Sequence, residues 1–450
     1  MSKWNNTPFE KLLIDSKDGE WGEGEEAVGL CEAIIIRGTD FSDLNNPGAD
    51  FPKRWIKNHI AERKRLQPGD IILETAGGTS TQSTGRSALL KKSFFHYHPD
   101  VLVLCASFSR HLRLNTNNYL PRFIYYFLQM LHRSGYMAVF NIQHTGVSRF
   151  QYTTFKNHTY LQIPELPIQQ KIAAILSAYD ELIENNERRI ALLEKMAEEI
   201  YREWFVRLRF PGHEKVKSIK GVPAGWMTVK LEQAFKFTGG GTPSKEVDRY
   251  WKDGQVNWFT PSDITAAEGM FVNHSGEQCT EEGLNNSSAR MFPPYSIMLT
   301  SRATIGAVGI NLTPACTNQG FITCIPNSSY PLPFLYHWLK LSKAYFELLS
   351  SGATFAELTK GTFKKIEILT PPKSLVTKFD EFESPIFSAI ELRLRENAKL
   401  IETRDLLLPR LISGNLSVEN LDIQFPPGMA EEVSVQPIKT VHASSVNPRD

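Results

Sequence analysis

The chain has 450 residues, 41% of them hydrophobic, with 50 basic and 49 acidic side chains and a net charge of +1. That length accommodates more than one domain with a real core. No apolar run is long enough to cross a bilayer, and the opening MSKWNNTPFEKLL lacks the charged-then-apolar layout of a secretory signal, so the expected location is the cytoplasm. Cys31, Cys105, Cys279, Cys316 and Cys324 form no CxxC pair and are expected as buried free thiols.

The near-zero net charge hides an uneven distribution. Residues 101–164 contain no Asp or Glu, yet hold Arg110, Arg113, Arg122, Arg133, Arg149 and Lys156. Residues 283–346 again lack acids and hold Arg290, Arg302, Lys340 and Lys343. Such stretches are either buried, strand-rich segments or surfaces kept free of negative charge for a polyanion.

In chain order, residues 9–163 read as mixed α/β. Short apolar or β-branched runs at 33–37, 70–74 and 101–106 predict strands, separated by turn-rich segments such as NNPGAD and AGGTSTQSTGR. Pro121 opens PRFIYYFLQMLHRSG, whose apolar spacing predicts a packed helix, and residues 159–163 predict a last strand before Pro164. From Leu166 to Arg207 apolar residues recur at steps of three and four through Ile168, Ile172, Ile175, Tyr179, Leu182, Leu193, Met196 and Ile200. This is the period of a coiled-coil seam, interrupted by Asn186 and Arg189, on a rod of roughly 60 Å.

After Phe210-Pro211-Gly212 the plan starts again. RGTDF at 37–41 has its counterpart in TPSDI at 260–264, PGDIIL at 68–73 in PYSIML at 294–299, and PRFIYYFLQ in LPFLYHWLK at 332–340. Phe155-Lys156 ahead of LQIP returns as Phe363-Lys364 ahead of LTPP, and a second long helix follows over 374–411, with Ile386, Ile390, Leu394, Ile401, Leu408 and Leu411 on one face. Pro385 and Pro409 predict a break near Ser384 and a frayed end after Leu408. The expected architecture is α+β: two repeated mixed α/β domains, at 1–165 and 211–372, joined by two long helices, at 166–210 and 373–416, packed as an antiparallel coiled coil. The polar segment 417–450 is expected to be disordered.

Catalytic signatures are sparse. Phe237 to Gly241 fits the F-x-G-x-G form of a methyl-donor loop, and Phe292-Pro293-Pro294-Tyr295 is similar to the D/N-P-P-Y/F motif of amino-methyltransferases. Phe292 cannot accept a hydrogen bond from an amino group, and residues 230–236 are not the apolar strand such a loop requires. No phosphate-binding G-x-x-x-x-G-K-[ST] loop occurs. His96 and His98, expected on a surface strand, have no acid or thiol close in sequence to complete a metal site. No nucleophile, base and orienter set is evident, which favours a binding and positioning protein over an enzyme.

The second copy carries Gly240-Gly241-Thr242-Pro243-Ser244, Tyr250-Trp251, Trp258 with Asp263-Ile264, Thr300-Ser301-Arg302-Ala303-Thr304-Ile305-Gly306 and Asn318-Gln319-Gly320-Phe321. With the run after Pro167 and the distal Arg404 to Leu411 followed by Ser413-Gly414, these make the chain resemble the specificity (S) subunit of type I restriction-modification systems over about residues 9–416. The first copy lacks the G-G-T-P-S run. The resemblance implies that each globule is a target-recognition domain for one half of a bipartite DNA site. The paired helices would set the spacer and dock two modification (methyltransferase) subunits carrying S-adenosylmethionine, with restriction subunits joining through them. This chain would bind no cofactor and catalyse nothing itself.

On that reading, candidate DNA contacts are Thr79, Ser80, Thr81, Gln82, Ser83 and Arg86, with Arg110 and Arg113, in the first copy. In the second they are Ser301, Arg302, Thr304, Asn318 and Gln319. Asn186 and Asn397 are candidates for fixing coiled-coil register, and Trp204 and Phe205 for subunit docking. Two other readings stay open: a self-contained DNA adenine methyltransferase, and a coiled-coil scaffold unconnected with DNA.

Overall fold

The computed structural model describes residues 4–78, 83–144, 147–267, 269–350 and 356–429. The chain divides into two compact units, one comprising Met1–Glu184 with Ala398–Asp450, the other Asn185–Asn397. Both divisions fall inside the long helices Leu166–Tyr201 and Lys373–Ile412, so each unit owns a segment of both.

In the first unit the strand Asn5–Pro8 pairs antiparallel with Tyr160–Ile163, which clamps the two ends of the globule together. An antiparallel sheet has the order Leu13–Asp18, Ser109–Leu114, Ile71–Glu74, Ser87–Leu89. A second sheet places Leu30–Ile36 between antiparallel Lys53–Lys57 and parallel Leu102–Cys105. The last four residues of Leu30–Ile36 are all buried, which is why its sequence is continuously apolar rather than alternating. Helix Pro121–Arg133 begins with proline, whose missing N–H costs nothing in a first turn, and buries Phe123, Ile124, Phe127, Leu128 and Leu131. They join Phe9, Leu12, Ile71, Leu112 and Phe155 in one core with Ile172, Ala173 and Leu176 of the first long helix and Leu408, Leu411 and Ile412 of the second.

The second unit repeats this plan. Met227–Lys230 pairs antiparallel with Glu367–Thr370, matching the end clamp of the first. Val256–Phe259 lies between antiparallel Glu277–Cys279 and parallel Ala315–Thr317. A further sheet has the order Lys236–Gly239, Phe321–Ile325, Ile297–Thr300, Val308–Asn311, Phe271–Val272. In each unit an aspartate closes the turn after the equivalent strand: Asp40 accepts from the Arg37 N–H at 2.8 Å, and Asp263 from the Thr260 N–H at 2.6 Å. Helix Leu332–Leu341 packs Phe334, Leu335 and Leu339 against Ile190, Ala197 and Tyr201 of the first long helix and Phe379, Phe387 and Ile390 of the second.

Several expectations are corrected. Along the first long helix the buried line runs through Leu176, Ile183, Ile190 and Ala197, while Leu182 and Met196 are 54% and 45% exposed. Adjacent apolar pairs such as Leu182-Ile183 fit two phases of the same period, and packing selects the second. Arg189 is exposed beside buried Ile190, and Ile401 of the second helix is also exposed. That helix passes through Pro385 without a break, because Pro385 faces outward while buried Ile386, Phe387 and Ile390 hold the following turn. It ends on Gly414 (φ 76°), with the Leu416 N–H closing on the Arg410 carbonyl at 2.9 Å, a glycine-terminated stop rather than a frayed end.

The start of the expected disordered tail is folded. Val418 and Met429 are buried in the first unit's core, and the Lys171 ammonium donates to the carbonyls of Glu419 and Leu421 at 2.7 Å each. His96 lies on helix Lys92–Tyr97 rather than a strand, and the His98 ring packs against Phe51 and Phe94. All five cysteines are free, and four are buried.

Candidate nucleic-acid interface

In the second unit, four loop segments are drawn to one place by backbone hydrogen bonds. Gly241 donates to the Thr317 carbonyl at 2.9 Å, Ser301 to Gly320 at 2.8 Å, and Leu358 to Ser301 at 3.0 Å. Close approach dictates the glycines: a Cβ on Gly240 would lie 1.9 Å from the Asn318 carbonyl, and one on Gly241 2.3 Å from Ser288 Oγ. The Trp258 indole N–H donates to the Gly241 carbonyl at 2.9 Å and pins the run.

Polar groups surround this junction. Thr242 Oγ1 donates to Gln319 Oε1 at 2.7 Å, and Asn318 Oδ1 accepts from the Gly320 N–H at 2.8 Å, closing the turn that presents Gln319 to solvent. Arg302 pairs with Glu357 at 2.9 Å and stays 51% exposed. The Lys360 ammonium lies over Gly239, where a Cβ would sit 1.9 Å from Nζ. Beside this loop, Lys245 Nζ is 3.4 Å from the centre of the Trp251 ring and 2.7 Å from both Glu277 oxygens. Exposed amide, hydroxyl and guanidinium groups of this kind can read base edges, and lysine ammonium groups can grip phosphate as point charges.

The structure thus brings together Ser301, Arg302, Asn318 and Gln319. The Ser301 side chain is buried, 2% exposed, so its contribution to the surface is backbone placement. Thr304 is exposed, and its carbonyl accepts from Thr300 Oγ1. Sequence reasoning missed Thr242 and Lys360, although Thr242 belongs to the G-G-T-P-S run that drew attention for other reasons.

In the first unit three candidate arginines are committed internally. Arg86 forks onto Glu74 at 2.6 and 3.0 Å, and the hydrogen bond to that buried carboxylate raises the guanidinium pKa. Arg113 forks onto Asp70 at 2.8 and 2.6 Å, raised for the same reason. Arg110 reaches Asp18 at 2.5 Å with its guanidinium over the Tyr152 ring. Ser83 Oγ lies 3.3 Å from His132 Nε2. Thr79, Ser80, Thr81 and Gln82 lie outside the described residues.

Asn186 and Asn397 do meet within the second unit: Asn186 Nδ2 donates to Asn397 Oδ1 at 2.9 Å. Trp204 and Phe205 turn inward, their rings 5.5 and 4.8 Å from that of Phe379. Among the described residues no cluster of metal-ligating side chains occurs, and no helix is long and apolar enough to cross a membrane.

The model of the type I restriction modification DNA specificity domain matches this chain twice, over residues 41–195 and 223–392. The chain belongs to that family. It is 33% identical over 196 residues to the type I restriction enzyme MjaIX specificity subunit of Methanocaldococcus jannaschii, spanning 43% of this chain and 45% of that one. It is 26% identical over 461 aligned positions to the HindI specificity subunit of Haemophilus influenzae, spanning 87% and 99% of the two chains. The crystal structure of the type I restriction-modification S subunit from M. genitalium shares the fold at a TM-score of 0.55, over 91% of this chain and 96% of that one, at 18% identity. The chain thus carries the DNA specificity domain of type I restriction-modification systems twice.

Proposed function

We propose that each unit is a target-recognition domain for one half of a bipartite double-stranded DNA site, and that the two long helices pack as an antiparallel coiled coil that sets the spacer between halves. The observation that carries this reading is the duplication: both units are built on the same backbone plan, with the same end clamp and the same parallel strand pair. The helix pairing is supported inside the second unit, where Asn186 meets Asn397 while Tyr201, further along the first helix, packs 5.9 Å from Phe379, earlier on the second.

On this reading two modification subunits, carrying S-adenosylmethionine, dock on the helices and methylate adenine, and restriction subunits join through them in the cytoplasm. Trp204 and Phe205 act by shaping the aromatic base of that docking region, since their rings pack inward. Reading both half-sites from one face of B-DNA places their centres about 10 base pairs apart.

The test is binding by the complex assembled with modification subunits to duplexes in which one half-site, the other, or the spacer is changed. Loss of specific binding on changing either half, and on adding base pairs between them, is the expected result, with affinity falling steeply with salt. Specific binding to a single contiguous sequence would overturn the bipartite reading.

A further inference from the structure

The two units share a backbone frame that follows the sequence repeat. In the first, Thr75 donates to the Phe108 carbonyl at 2.8 Å and Phe150 donates to the Thr75 carbonyl at 2.9 Å; in the second, Ser301 and Gly320, then Leu358 and Ser301, make the same bonds at 2.8 and 3.0 Å. One residue further along, Ala76 faces Arg149 across an antiparallel pair, and Arg302 faces Glu357. These are the same rung. Each unit has one arginine on it, carried by opposite strands.

The surroundings set this rung apart. Of the arginines in the acid-free segment 101–164, Arg110, Arg113, Arg122 and Arg133 pair with Asp18, Asp70, Glu181 and Asp405. Arg149 is exposed, and among the described residues no carboxylate pairs with it. Arg302 is held by Glu357 from one side and half exposed on the other, which leaves part of its fork free. The residue after the rung takes a positive φ in both units, 111° at Gly77 and 59° at Ala303; in the first unit pairing continues at Gly78 opposite Ser148, with a bulge between Ser148 and Arg149.

We infer that Arg149 and Arg302 are equivalent specificity-determining residues, each presenting its guanidinium to a guanine of the half-site its own unit reads. This rests on the DNA-reading function proposed above. A planar fork matches the paired O6 and N7 acceptors of guanine as it does phosphate oxygens; guanine is favoured because sequence must be read somewhere on each unit. Arg86, Arg110 and Arg113, paired with Glu74, Asp18 and Asp70, are poorly placed to do so.

The experiment assembles the full chain with modification subunits and maps methylated adenines on a randomised duplex library for the parent, R149A, R149K and R302A. The expected result is that R149A relaxes preference at one guanine of one half-site by about tenfold or more, and R302A does so in the other half only. R149K, which keeps the charge but not the fork, relaxes the same position as R149A. Uniform weakening at all sequences with a shallower salt dependence, as for a phosphate contact, would overturn the inference, as would unchanged preference. A parent complex that yields no bipartite motif would instead overturn the DNA-reading function itself, so the two failures are distinguishable.

Discussion

Asn186 Nδ2 donates to Asn397 Oδ1 at 2.9 Å, between side chains only 9% and 7% exposed. The two amides occupy corresponding places in the two copies of the sequence, and Asn186 also reaches Glu396 at 3.4 Å. A buried polar pair of this kind contributes little net stability but makes any shifted register leave an amide unpaired.

Replacing only Asn186 with leucine leaves the Asn397 amide buried against an apolar group, which costs about 1–3 kcal/mol. Replacing both with leucine removes the unpaired amide and restores or exceeds the parent stability. Chemical denaturation of the full chain checks this: the double variant is expected to be at least as stable as the parent and clearly more stable than either single. Additive losses in the double variant would show that the amides act independently.

Arg113 and Asp70 are structural. Asp70 is 2% exposed, accepts two bonds from the guanidinium and also holds the Gln67 N–H at 2.8 Å. Truncating Arg113 to alanine strands that carboxylate in the first unit, at a cost of about 3 kcal/mol. The expected phenotype is a lowered unfolding midpoint with unchanged base preference among the molecules that remain folded, read by denaturation and by methylation mapping.

The second unit has a pH-dependent stability built on Glu383 and His337. Their side chains are buried, 3.6 Å apart, with no hydrogen-bond partner on either ring nitrogen or either carboxylate oxygen, and the Tyr201 and Phe387 rings lie 5.4 and 5.7 Å from the imidazole. Lys340, Glu198 and Arg202 are the charges that act on His337. Burial raises the Glu383 carboxyl to about 8 and lowers His337 to about 3. A raised acid stabilises the fold while protonated, so its contribution is complete below its ordinary value of 4.5 and is lost as pH climbs through 8. The depressed histidine acts oppositely, its contribution present above 6.5 and lost as pH falls toward 3. Between about pH 6.5 and 8 Glu383 is the member of this pair that titrates, so its contribution should fall with rising pH by at most about 1.4 kcal/mol per unit. Urea midpoints across that window should decline in the parent and be flat in E383Q; the same decline in both would assign the slope elsewhere.

Gly240 tolerates no side chain. The Cβ of G240A would meet the carbonyl oxygens of Asn318 and Thr317 at 1.9 and 2.2 Å, both backbone atoms. The loop junction must therefore open, with an expected destabilisation of about 2–3 kcal/mol and loss of recognition in one half-site. Parent-like methylation at both half-sites would show that the junction is not where the second unit reads DNA.

The repeat and both long helices are legible in the sequence because each is a strong periodic signal, and the equivalence of Asp40 with Asp263 follows from matched turn motifs. The helix phase is not legible: Leu182-Ile183 and Met196-Ala197 offer apolar residues in adjacent positions, and only the surrounding domain decides which is covered. Pro385 reads as a breaker until Ile386 and Phe387 are seen buried in the next turn. Val418 and Met429 sit in a polar segment with no periodicity, and the core they fill is assembled from residues hundreds of positions away. For the interface, the loops were findable by composition, but the commitment of Arg86, Arg110 and Arg113 to distant carboxylates, and the lack of a carboxylate on Arg149 among the described residues, are properties of the folded chain.

The most direct test of the central claim is base-resolution mapping of methylated adenines produced by this chain assembled with its modification subunits, with the isolated chain as the control. The expected result is a single bipartite motif, two specific halves separated by a fixed non-specific spacer with one methylated adenine in each, and no methylation by the chain alone. Methylation by the isolated chain, or a contiguous motif with no spacer, would contradict it.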